Sequence, residues 1–85
     1  MKLIIIIPSF NEEETLEKVI SRIPKFITGI DEIIPLVIDD GSTDRTASIA
    51  EQSGAVVLSH TQNQGVGIAF QTGLRHALEI GADIM

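Results

Sequence analysis

Leu3 is followed by four isoleucines in a row, Ile4 to Ile7, and the run stops dead at Pro8. A short, unbroken, β-branched run without polar alternation fits a strand buried on both faces, which is the situation of a strand inside a parallel sheet. Parallel neighbours cannot be joined by a tight hairpin, so such a strand commits the chain to helical crossovers. The run is shorter than the roughly 7–15 apolar residues of a signal-peptide core. It is far shorter than the about 20 residues that cross a membrane. The expectation is therefore an untargeted, cytoplasmic chain whose first element is a core strand.

The rest of the sequence alternates as a parallel sheet requires. Asn11, with Glu14 three residues on, has the form of a capping box, and Glu12, Glu13 and Glu14 suit the positive end of a helix. Leu16, Val19, Ile20 and Ile23 mark one helical face, closed by Pro24. Ile33 to Ile38 is a second apolar run that ends in Asp39-Asp40-Gly41. Ser42 or Thr43 is expected to cap a second helix reaching about Gln52, and Ala55 to Leu58 is a short third strand. After the polar stretch Ser59 to Gln64, the residues Val66, Ala69, Phe70, Gly73, Leu74, Ala77 and Leu78 keep helical spacing, ending near Gly81. Asp83-Ile84-Met85 has the look of a fourth strand just begun. The pattern β-α-β-α-β-α-(β) predicts an α/β fold, and the abrupt last strand suggests the front part of a longer protein.

Composition removes several classes of function. The chain has 85 residues with 6 Lys plus Arg against 12 Asp plus Glu, a net charge of -6. No basic face is available for nucleic acid or for an anionic membrane surface. Apolar residues at 44% are too many for a disordered chain, and the absence of cysteine excludes a disulfide framework and a thiolate zinc site.

Ligands of open parallel sheets bind outside the carboxyl ends of the strands. Three polar segments fall there: Pro8 to Glu12, Asp39 to Asp44, and Asn63 to Gly67. Two adjacent acids at a strand end are the most pointed feature, because unpartnered they repel. Asp40 is assigned to a ligand; for Asp39 an Asx-turn or helix cap competes with a ligand contact. Asn11 is assigned to capping, and Glu13 and Glu14 to solvated first-turn acids. Gly65 and Gly67 admit a phosphate at a helix N-terminus, but Gly65, Gly67 and Gly73 do not have dinucleotide-fingerprint spacing. His60 and His76 have no ligand-like spacing and are expected as polar surface residues; Arg75 is expected exposed.

Three stretches together resemble the inverting family 2 glycosyltransferases of the GT-A fold: I-I-P-S-F-N-E-E-E (Ile6 to Glu14), V-I-D-D-G-S-T-D-R-T (Val37 to Thr46) and N-Q-G-V-G-I-A-F-Q-T-G (Asn63 to Gly73). Their order and spacing match over nearly the whole chain, with the branch using dolichyl or polyprenyl phosphate acceptors, or building cell-surface polysaccharide, the most similar. The resemblance implies a three-layer α/β/α parallel sheet, the Rossmann-like front of a GT-A fold cut at the start of its fourth strand. Residues 1–85 would then be the incomplete nucleotide-sugar-binding part of a glycosyltransferase domain.

By that resemblance, Pro8, Phe10 and Glu12 line the pocket for base and ribose, Asp40 hydrogen-bonds the base, and Asp39 holds the loop or assists. Ser42 mostly caps the second helix, and Gly65 lies near the donor. Phe10 stands where a tyrosine is frequent, and Val66 where relatives often carry a basic residue. The family's metal-binding D-x-D and its catalytic base have no counterpart here, so no catalytic or metal-ligating residue is assigned. Mn²⁺ or Mg²⁺ would belong to the full-length protein, and the 85 residues alone are expected to be inactive. Membrane association would come from other segments. With the fourth strand incomplete, Leu3 to Ile7 is expected to form an open edge that self-associates. A non-enzymatic α/β binding or assembly module shares the same element pattern, as does an unrelated phosphate or nucleotide binder.

Overall fold

The computed structural model describes residues 1–84, so Met85 of the incipient fourth strand lies outside it. Six elements alternate: β1 (Lys2–Ser9), α1 (Leu16–Ser21), β2 (Glu32–Asp40), α2 (Thr46–Gln52), β3 (Val56–His60) and α3 (Val66–Glu79). The sheet order is β1-β2-β3 and both pairings are parallel. Ile5 stands opposite Pro35, and Leu36 opposite Val56. Pairing with β3 begins only at Leu36, so at Pro35 the strand has β1 alone beside it, where a missing N–H is tolerated. Outside β1, Ile84 forms a parallel bridge to Leu3, and its carbonyl accepts the Ile4 N–H at 2.9 Å.

The sheet is covered on both faces, giving the three layers expected from the sequence. On one face Ile4, Leu36 and Ile38 pack against Ala69 and Ala77 of α3. On the other, Val37 meets Leu16 and Ile20 of α1 and Ala50 of α2. The alternation of β2 sets this division: Leu36, Ile38 and Asp40 point to the α3 face, Val37 and Asp39 to the α1/α2 face. The apolar stripe of α3 is narrower than its sequence suggested. Ala69, Gly73 and Ala77 are the buried positions, whereas Val66, Phe70 and Leu78 are exposed. Small residues let the helix axis approach the sheet closely.

Element boundaries differ from expectation at the strand–helix junctions. α1 begins at Leu16, not after Asn11, and is preceded by a turn in which the Thr15 and Leu16 amides donate to the Glu12 carbonyl. The anticipated capping box does not form, because Asn11 takes a left-handed φ of 51° and turns its side chain to the neighbouring loop. α2 begins at Thr46, beyond both proposed caps. The second strand extends through both aspartates, and the third runs to His60.

Candidate functional site

The loops after β1 and β2 are tied to each other. The Asn11 N–H donates to Ser42 Oγ at 2.9 Å, and the Thr43 N–H donates to Asn11 Oδ1 at 2.9 Å. The Glu12 N–H donates to Thr46 Oγ1 at 2.9 Å, and the Arg45 N–H to Glu13 Oε2 at 3.1 Å. Ser42 and Asn11, both read as helix caps, are thus used across the loop interface instead. Glu13, read as a solvated acid, anchors the start of α2. The N-cap position of α2 is Arg45, without a side-chain cap; just before it, Asp44 Oδ1 accepts from the Thr46 N–H at 2.9 Å and from the Thr46 hydroxyl. Burial works against the charge on Asp44, but the hydrogen bonds from Thr46 prevail and its pKa is lowered.

Asp39 and Asp40 do not share a site, because successive strand residues leave opposite faces of the sheet. Asp39 Oδ1 accepts the Ser42 N–H at 3.1 Å, so its Asx-type role in shaping the loop is the one observed. Asp40, only 3% exposed, points to the α3 side and organises the loop after β3. Its Oδ1 accepts from His60 Nδ1 at 2.8 Å and from the Gln64 N–H at 2.9 Å. Its Oδ2 accepts the Gly65 N–H at 2.9 Å, and its carbonyl accepts from Asn63 Nδ2 at 3.2 Å. These donors, His60 first, hold the Asp40 carboxyl below the ordinary carboxylate range despite its burial. The repulsion anticipated between adjacent acids is avoided by their opposite directions and separate partners.

An open cleft of about 220 Å³ sits where the three loops meet, lined by Pro8, Ser9, Phe10, Glu12, Asp40, Asn63, Val66 and Ala69. Four residues singled out from sequence, Pro8, Phe10, Glu12 and Asp40, come together here. Asp39 and Gly65 are not on its wall; Asp39 shapes the second loop, and Gly65, at φ 97°, turns the third into α3. Sequence reasoning placed Asn63 in the third strand-end segment without a role of its own, and it missed His60, expected at the surface but only 11% exposed in its side chain. His76 behaves as expected, partly exposed beside Glu79. A larger groove of about 320 Å³ between α1 and α2, bordered by Glu17, Lys25 and Gln52, contains no strand-end residue.

The cleft joins an exposed aromatic ring, two acids that accept hydrogen bonds, and the N-terminal end of a 14-residue helix. Ring, acceptors and helix end suit a base, hydroxyl groups and an anion respectively. A divalent cation is a different matter. Asp39 and Asp40 diverge, and no group of three or more His, Cys, Asp or Glu side chains suited to an ion occurs among the described residues. The residues present do not fit a bound metal.

Fold and cleft define a parallel α/β domain with an open pocket at the carboxyl ends of its strands, where ligands of such sheets bind. Its residues 4–79 match the model for glycosyl transferase family 2, and the chain belongs to that family. It is 36% identical to a UDP-N-acetylglucosamine–dolichyl-phosphate N-acetylglucosaminyltransferase of Methanococcus voltae, over 94% of this chain and 37% of that protein. An undecaprenyl-phosphate mannosyltransferase of Micrococcus luteus is 34% identical over 100% of this chain and 36% of its own length. Among solved structures, glucosyl-3-phosphoglycerate synthase from Mycobacterium tuberculosis, in complex with Mn²⁺, UDP-glucose and phosphoglyceric acid, superposes with a TM-score of 0.72 at 36% identity. That match covers 88% of this chain and 29% of the synthase, which has also been solved with Mg²⁺ and UDP. The chain thus spans roughly a third of the length of these relatives. No helix among its described residues is long and apolar enough to cross a membrane.

Proposed function

We propose that residues 1–85 form the donor-nucleotide pocket of a glycosyltransferase acting from a nucleoside-diphosphate sugar. The convergence of Pro8, Phe10, Glu12 and Asp40 on one cleft carries this assignment. Phe10 is the stacking platform for the base, half-exposed at the cleft mouth. Asp40 accepts a base N–H through Oδ2, while Glu12 accepts from the ribose. Asp39 and Gly65 act indirectly, by shaping the loops. The positive end of α3 faces the diphosphate, and no basic side chain lines the cleft to help it.

In the transfer, an acceptor oxygen bonds to the anomeric carbon as the bond to the nucleoside diphosphate breaks, and a carboxylate base takes the acceptor proton. Neither that base nor ligands for a cation are assigned among these 85 residues. Both are supplied by the larger remaining share of such a protein, and the 85 residues alone bind nucleotide without transferring sugar. The matches to dolichyl- and undecaprenyl-phosphate enzymes favour a polyprenyl phosphate acceptor, reached from the cytoplasmic face of a membrane.

An NMR titration of the chain with UDP and GDP, with and without Mn²⁺, tests this. Shifts confined to Phe10–Glu12, Asp40 and Asn63–Val66, independent of Mn²⁺, are expected. Phe10→Ala should weaken binding by about tenfold, the loss of one stacked base. A folded sample with no response at millimolar nucleotide would overturn the assignment.

A further inference from the structure

We infer that His60, backed by Thr72, is a positioning residue of the nucleotide site: it holds one oxygen of Asp40 so that the loop after β3 and the second oxygen are presented to the cleft. The inference rests on the nucleotide assignment above, and deepens it.

His60 closes β3 directly opposite Asp40 in the sheet register, so both side chains leave the sheet on the α3 side. The imidazole lies between two elements: Nδ1 is 2.8 Å from Asp40 Oδ1, and Nε2 is 2.9 Å from Oγ1 of Thr72 in α3. An ionised carboxylate only accepts, so Nδ1 carries the proton and donates. In the neutral ring Nε2 then accepts from the Thr72 hydroxyl. The line Thr72–His60–Asp40 fixes the imidazole at both ends and selects its tautomer. With Oδ1 engaged, the carboxylate plane is set, and the Gln64 and Gly65 amides find their acceptors at 2.9 Å each. Those two amides shape the turn into α3, and Oδ2 stays on the cleft side with Gly65. Without His60, the carboxylate is held by the two loop amides alone, and the turn loses part of its template.

A structural prop would show itself only in stability, so the test reads the site directly. In the free protein, long-range ¹⁵N–¹H correlations should report a proton on Nδ1 of the ring. His60→Leu should move the Gln64 and Gly65 amide resonances and weaken UDP binding by about tenfold, because the acceptor Asp40 is no longer held in position. In His60→Asn the side-chain NH₂ occupies the place of Nδ1–H and should restore affinity to within about threefold. If His60→Leu leaves both amides and the affinity unchanged, or if the Asn variant is as weak as the Leu variant, the role is refuted. Should His60→Leu fail to fold, Thr72→Val addresses the same line: unaltered amides at 64 and 65 together with an unaltered UDP affinity would refute it. A wild-type chain that ignores nucleotide removes the functional assignment, while the free-protein amides still decide the role of His60.

Discussion

Asn11 and Thr43 join the first two loops: Asn11, at a left-handed φ of 51°, accepts the Thr43 N–H on its side-chain oxygen at 2.9 Å. Asparagine tolerates that backbone region better than most residues. Asn11→Ala should lose the hydrogen bond and add strain, costing about 1–2 kcal/mol in urea unfolding. Asn11→Gly should cost less, because it loses the bond and relieves the strain. Asn11→Asp should cost least. An Ala variant as stable as the Asp variant would mean that the loop bridge contributes nothing.

At Gly73 the helix α3 lies close against the sheet, since a Cβ there would lie 2.5 Å from Cγ2 of Ile6 and 3.2 Å from Cγ1 of Ile38. Alanine raises helix propensity by up to about 1 kcal/mol. Overpacking a tight core costs about 1–3 kcal/mol, so Gly73→Ala should be net destabilising. Ile6→Ala removes the clashing methyl, and a double-mutant cycle should show the pair less destabilising than the sum of its parts. Additivity would place the helix further from β1 than described.

The path of the strands was legible because Leu3–Ile7 and Ile33–Ile38 are apolar runs rich in β-branched residues, and the α3 boundaries because Gly65 and Gly81 punctuate them. The convergence of the three strand-end segments was legible because parallel topology gathers strand ends at one edge, and the family resemblance picked out Pro8, Phe10, Glu12 and Asp40 within them. What escaped is tertiary. Asn11 satisfies a capping-box pattern, yet the better acceptor use lay 32 positions away at Thr43. His60 carries no local signal, since its partner Asp40 comes from the neighbouring strand. The doublet Asp39-Asp40 read as a repulsive pair only while its members were neighbours in sequence; the pleat separates them.

The ionisation of Asp40 predicts an acid limb of stability. Its folded-state pKa is lowered, by the His60 hydrogen bond first and the Gln64 amide next, so the folded state binds the proton less readily than the unfolded chain. The contribution is fully present above the ordinary carboxylate value of about 3.9 and is lost as pH falls through the lower folded value. Unfolding free energy should therefore fall with acid below about pH 4, and Asp40→Asn should flatten that limb while lowering stability near neutrality. An Asn variant with an unchanged acid slope would show that Asp40 does not titrate differently on folding. Asp44, also lowered, should leave a residual slope that Asp44→Asn reduces further.

The outer edge of β1 predicts association. Leu3, Ile4, Ile5 and Ile6, with Phe70 and Leu74 of α3, line an apolar groove of about 470 Å³. Among the described residues, Ile84 is the partner on that side, bridging β1 at Leu3. Beyond it, no described residue pairs with that side of the strand up to Pro8, which has no N–H to offer. An apolar edge of this kind pairs with whatever strand is available, and in a purified sample that is another β1. The net charge of -6 opposes the approach, and salt screens it, so the dimer fraction seen by light scattering should grow with concentration and with ionic strength. Phe70→Lys places a charge in the groove away from the cleft and should return the chain to monomer while leaving the nucleotide titration unaltered. A monomer at millimolar concentration in high salt would show that the edge is closed by the chain's own fold.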